Sequence, residues 1–172
     1  MSDRGETLGK LMCITTIIDS KKLIERGIPD KTADYVWIPE SGTFVLKPIE
    51  ESELGIDYWI ASEGAIPAWS TDRLLDLLPR EISDYIYHYR LVIKKLADKN
   101  NLYEVTYRAY SKVGDEDQEI QDGENFSIWI GSGNVSLYEG ALELVLVLTL
   151  QQEGPYYKSM MKEIEEIYGK TI

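Results

Sequence analysis

The residues best suited to chemistry form a basic segment in an otherwise acidic chain. From His88 to Lys112 there are six cations and two carboxylates, a local charge of +4 in a protein whose net charge is −12. Alternate residues of a strand point to the same side. The two strands predicted here would therefore place a histidine, three cations and a tyrosine together on what we term the basic face: His88, Arg90, Lys94, Arg108 and Tyr110. Guanidinium groups beside aromatic rings suit an anionic small molecule such as a nucleotide.

Two other interpretations of the basic face stay open. Antiparallel sheets commonly turn one polar side to solvent, and the basic face would then bind nothing. Alternatively, the acidic segment 114–125, which follows directly, folds back and neutralises it. This segment is predicted as a loop and carries six carboxylates and no cation. Four of these form a candidate docking surface for a basic partner: Asp115, Glu116, Asp117 and Glu119.

The acidic segment does not satisfy the pattern of a metal site. Asp115, Asp117 and Glu119 have the spacing of the first calcium ligands in a calcium loop, but Ile120 stands where that loop needs glycine. The chain has one cysteine and one histidine, which excludes an internal disulfide, a multi-cysteine zinc site and a two-histidine metal site. No metal or cofactor is predicted, and Cys13 is expected to be a small buried residue.

A glycine-rich stretch before the longest apolar run offers a second anion site. Residues 131–136 are predicted as a turn between a strand and a helix, which resembles part of a dinucleotide-binding fingerprint. Its candidate ligands are Gly131, Gly133 and Ser136. The third glycine position is however Ser136, and no strand follows to complete a βαβ unit. In the alternative interpretation, Ser136 only caps the helix.

Several functional classes are excluded or disfavoured by composition and pattern. The chain has no nucleophile-elbow motif and no phosphate-binding loop, so no enzyme class is indicated. Because it is acidic and lacks a basic tail, nucleic acid is not an expected partner. The longest apolar run, 141–150, is too short to span a bilayer, and no secretion signal is recognisable, so we expect a cytoplasmic protein without a membrane partner.

The elements that must position these residues are predicted by caps, breakers and periodicity. Thr16, Ser70 and Ser136 stand where helix N-caps are expected, and a last amphipathic helix follows Pro155. Residues 85–96 also fit a helix, although their tyrosines and β-branched residues favour a strand. The predicted strands are Tyr35–Ile38, Thr43–Lys47, Ile56–Ala61, Tyr85–Leu96, Leu102–Tyr110 and Phe126–Ile130.

These elements predict a single α+β domain over residues 1–172, of which residues 1–12 are expected to be flexible. Its antiparallel sheet would have about five to six strands. A buried helix, predicted over Leu137–Gln152, and further helices would pack on one face of that sheet.

Two stretches carry a resemblance to a known family. Residues 20–28 with 32–35, and the box Pro67-Ala68-Trp69-Ser70 with 74–75 and 78–82, are similar to an uncharacterised family of small proteins from phages and mobile elements of gut bacteria. The chain departs from that family in its acidic segment and in the helix after Pro155. No activity is established for the family, so the resemblance implies no functional residues.

The sequence thus favours a non-enzymatic binding protein of phage or mobile-element type, which blocks a host protein of defence or signalling. The alternative is a sponge, meaning a protein that sequesters an anionic small molecule such as a nucleotide signal on the basic face. A carboxylate-dependent hydrolase ranks third. Whether the chain forms a homo-oligomer is left open by the sequence.

Overall fold

The computed structural model describes residues 13–49, 55–97, 101–113, 116–122, 126–127 and 129–169. The predicted flexibility of residues 1–12 lies outside this part of the chain. The helices are α1 (Ile17–Glu25), α2 (Gly55–Glu63), α3 (Thr71–Asp76), α4 (Leu137–Leu148) and α5 (Pro155–Tyr168). The strands are β1 (Tyr35–Glu40), β2 (Thr43–Pro48), β3 (Ile66–Ala68), β4 (Glu81–Ser83), β5 (His88–Lys95), β6 (Tyr103–Val113), β7 (Glu116–Glu119), β8 (Gln121–Asp122), β9 (Phe126–Ser127) and β10 (Trp129–Val135).

The strands form two main antiparallel sheets, and the predicted α+β class is confirmed. The larger sheet has the order β10-β6-β5-β4, with β7 pairing β6 beyond the end of β10, so it has five strands. The smaller sheet has the order β2-β1-β3, and β8 and β9 form a separate pair. Within the described residues, no helix is both long enough and apolar enough to cross a bilayer.

The core lies between the larger sheet and the helices α4 and α5. Tyr107 of β6 is fully buried, and its hydroxyl donates to the carbonyl of Pro79 at 2.6 Å. Leu144 and Leu148 of α4 are also buried, which confirms the predicted buried helix. The amphipathic α5 contributes Met160 and Ile164 to this core, whereas its Ile167 is exposed.

The Pro-Ala-Trp-Ser box belongs to the smaller sheet and has a structural role. Trp69 is fully buried, and its indole N–H donates to Thr32 Oγ1 at 2.8 Å, so it does not line a surface groove. Ser70 caps α3 by accepting from the Arg73 amide at 3.2 Å, and it donates to Asp34 Oδ2 at 2.5 Å. Trp37 on β1 is equally buried.

Three local predictions are wrong. Residues 56–61 form the helix α2 rather than a strand, because Ile56, Trp59 and Ile60 have helical spacing and pack on the core together. Cys13 is exposed, not buried. Its backbone carbonyl contacts the rest of the fold, because it accepts a hydrogen bond from the Thr71 amide at 2.9 Å. The segment 114–125, predicted as a loop, contains β7 and β8.

The glycine-rich stretch also differs from its prediction. Residues 131–135 are the second half of β10 instead of a turn, with an irregularity between Ser132 and Val135. At Gly131, φ is +121°, and a Cβ there would lie 2.4 Å from the carbonyl oxygen of Val105. A glycine is therefore required here by close strand packing.

Candidate functional site

The register of β5 and β6 brings the predicted basic face together. His88 lies opposite Tyr110, and Arg90 lies opposite Arg108. The residues that alternate with them, such as Tyr89 and Tyr107, are buried in the core. The basic face is therefore the outer side of the larger sheet, as alternation predicts.

The charge of this face is balanced by its own carboxylates. Arg108 donates to both oxygens of Glu119, at 3.0 and 3.2 Å, and its Nε donates to Glu104 at 3.0 Å. The hydrogen bond to Glu104 raises the pKa of the Arg108 guanidinium above its ordinary value. Arg108 is thus held as a paired, half-buried cation.

The neighbouring cations also lie beside acidic or aromatic groups. Arg90 Nε donates to Glu81 of β4 at 2.9 Å, and its guanidinium lies 5.5 Å from the ring centre of Tyr110. Lys94 lies opposite Glu104 in the register. Two arginines on this face therefore pair with three carboxylates: Arg90 with Glu81, and Arg108 with Glu104 and Glu119.

The acidic docking candidates are only partly brought together. Glu119 lies on the outer face, where it pairs with Arg108, so this part of the acidic segment does fold back on the basic face. Glu116 and Asp117 belong to β7, opposite Val113 and Lys112 in the register. Asp115 lies outside the described residues.

At the second candidate anion site, residues 131–136, the helix cap uses the Ser136 side chain and amide. The Ser136 side chain accepts from the Glu139 amide at 3.2 Å, while the Glu139 carboxylate accepts from the Ser136 amide at 3.2 Å. This reciprocal capping box places a carboxylate at the amides that an anion would need. Gly131 and Gly133 lie further back in β10. The arrangement fits the capping interpretation of Ser136.

Between β4 and β5, the four-residue connection 84–87 forms a turn that projects two large apolar side chains. Tyr85 is 97% exposed and Ile86 is 76% exposed, and the strand predicted to begin at Tyr85 begins at His88 instead. We call Tyr85 and Ile86 the tip. Neither residue has the positive φ that the favoured two-residue hairpin turns require, so the local sequence does not stabilise this turn through glycine or asparagine.

The Asp84 side chain holds the tip in place. Its Oδ1 accepts from the amides of Ile86 and Tyr87, each at 2.7 Å. Its Oδ2 accepts from the Tyr156 hydroxyl of α5 at 2.6 Å and from the Tyr89 hydroxyl at 3.1 Å. Burial alone would raise the pKa of Asp84, but these hydrogen bonds lower it to about 2. The carboxylate is therefore charged at neutral pH, and each of its two oxygens accepts two hydrogen bonds.

A sequence signal for the tip exists in hindsight. Aspartate is common at the start of an Asx turn, where its carboxylate accepts from the amide two residues later, and Asp84 directly precedes the strand predicted to begin at Tyr85. The partner hydroxyl of Tyr156 had no such signal, because it lies 72 residues away in the chain.

No group of three or more histidine, cysteine, aspartate or glutamate side chains in the described part of the chain is arranged to hold a metal ion. The arrangement offers an apolar tip, whose backbone is held by hydrogen bonds to Asp84, beside a charge-balanced sheet face. Comparisons of the chain with protein-family models, with curated proteins and with solved structures find no match.

Proposed function

We propose that this protein is a non-enzymatic binding protein that occupies a surface of another protein, with the tip as its main contact. The observation that carries the proposal is the exposure of Tyr85 and Ile86 on a turn whose geometry is held by Asp84. Neither side chain contributes to the core. Their exposure to water is therefore unfavourable, and no contribution of these side chains to the core offsets it.

The tip has the properties of a binding hot spot. Tyrosine is enriched among residues that dominate binding energy, and burying a side chain such as Ile86 contributes about 1.5–3 kcal/mol. The turn is already held by hydrogen bonds, so binding does not have to order it. The polar residues beside it, which include Glu81 and His88, fit the charged rim that surrounds such contacts.

The sponge alternative has less support. To bind a nucleotide, the basic face would have to release Arg108 from Glu104 and Glu119, which already satisfy its guanidinium. An anion would also approach three carboxylates on the same face. The resemblance to phage and mobile-element proteins favours a host protein as the partner.

Site-specific photo-crosslinking tests the proposal. A photoreactive phenylalanine analogue placed at Tyr85, in a lysate of the source cells, should yield one discrete cross-linked protein. The matched control carries the analogue at Ile167, which is also exposed but lies on α5. Unlabelled wild-type protein should compete with the Tyr85 cross-link, and a Y85S/I86S variant should not. Equal competition by wild type and variant would contradict the proposal.

A further inference from the structure

An apolar groove runs along α4 beside the end of α1. It has a volume of about 370 Å³, and its floor is formed by Leu142, Leu146, Val147 and Leu150. Val147 is 36% exposed and Leu150 is 62% exposed. Leu142, Leu146 and Val147 belong to α4, and Leu150 follows two residues after its end at Leu148. Leu142 is packed in the core and Leu146 is half-buried against it, so Val147 and Leu150 supply most of the exposed apolar stripe, which favours contact with another apolar surface.

The two ends of the groove carry opposite charges. Glu139 and Glu143 lie at the end nearer the start of α4. Arg26 lies at the other end, where its guanidinium donates to the Leu150 carbonyl at 3.2 Å. Glu143 accepts a hydrogen bond from Ser132, and Glu139 belongs to the capping box, so both carboxylates are held in position.

We propose that this groove is the interface of a homodimer, with a second copy of this chain as its occupant. The stripe is self-complementary. A twofold axis perpendicular to it places the two α4 helices antiparallel, with the apolar stripe of one subunit on the apolar stripe of the other. Glu143 then faces Arg26 of the partner subunit, and Arg26 faces Glu143 of the partner subunit. Isologous dimers require this self-complementarity of one patch.

Charge complementarity distinguishes a second copy from other occupants. A fatty acid or lipid headgroup would bring its anion into a groove that already holds two carboxylates and one arginine. A second copy instead places its Arg26 at the end that carries Glu139 and Glu143, and its own carboxylates at the end that carries Arg26. The tip belongs to other elements and is not part of this interface.

Complementary charge reversal tests the dimer. Sedimentation equilibrium of the full chain should show a monomer–dimer equilibrium. Arg26→Glu and Glu143→Lys should each weaken self-association by roughly tenfold or more, because each places like charges opposite each other at two symmetric points. An equimolar mixture of the two variants should restore association to within about threefold of wild type, since the heterodimer again places opposite charges at both points.

The mixture also controls for folding, because a misfolded variant would not be rescued by another variant. Leu150→Ser, which removes apolar contact without changing charge, should weaken the dimer while leaving the thermal unfolding of the monomer nearly unchanged. A wild-type chain that stays monomeric, or two variants whose mixture does not recover association, would overturn the proposal. In either case the groove would belong to a different occupant.

Discussion

The hydroxyl of Tyr156 on α5 donates a hydrogen bond to Asp84 at 2.6 Å, and Asp84 in turn holds the amides of the tip. The last helix of the fold therefore positions the turn between β4 and β5. The neighbouring rings reinforce this contact, because Tyr89 and Tyr156 pack edge to face with their centres 6.0 Å apart. The order of the tip thus depends on a long-range tertiary contact.

Removing the Tyr156 hydroxyl should loosen the tip. We expect Tyr156→Phe to lower the free energy of unfolding by about 1–2 kcal/mol, since a hydrogen bond to a charged carboxylate is lost. Hydrogen exchange at the amides of Ile86 and Tyr87 should accelerate. Tyr157→Phe, the neighbouring change on the same helix, serves as the control. Unchanged exchange in Tyr156→Phe would show that α5 does not order the tip.

Acid should weaken the fold through Asp84. Its pKa is lowered from the ordinary 3.8 to about 2 in the folded state, so the unfolded chain binds the proton more readily. The contribution of Asp84 to stability is therefore fully present above about pH 4 and is lost as the pH falls through 2. Thermal unfolding of wild type and Asp84→Asn should be compared from pH 6 to pH 2. We expect the difference between them to shrink in that acid range; a constant difference would refute the assignment.

The basic face should bind nucleotides poorly until its carboxylates are removed. We expect millimolar ATP to change the melting temperature of wild type little, and to raise that of a Glu104→Gln/Glu119→Gln double variant, because Arg108 is then released. The single change Glu119→Gln should cost about 1 kcal/mol or less of stability. A clear ATP shift in wild type that disappears in Arg90→Ala/Arg108→Ala would favour the sponge instead.

Two glycines of β10 should respond differently to substitution. Gly131→Ala places a Cβ 2.4 Å from the Val105 carbonyl oxygen at a positive φ, and we expect a loss of about 3 kcal/mol in stability. Gly133→Ala meets no atom within 4 Å and should change stability by less than about 1 kcal/mol. Urea unfolding measures both. Equal effects would mean that Gly131 is not required by packing.

Much of the local structure could be predicted because its signals lie within three or four residues. The caps at Thr16, Ser70 and Ser136 each accept from the amide three positions later, as their spacing indicates. The strand predicted over 56–61 is wrong, because its β-branched and aromatic composition favours a strand while its apolar residues have helical spacing, and their packing on the core stabilises the helix.

By itself, the sequence determined which side chains share the outer face, since strand alternation alone brings Arg90 and Arg108 to one side. Only the tertiary structure decided the charge of that face. Glu81 and Glu119 come from strands outside the basic segment, and their pairing with the two arginines depends on strand register. The same holds for Asp84 and Tyr156: no local pattern links residues 72 positions apart, because their contact exists only once α5 packs near β4.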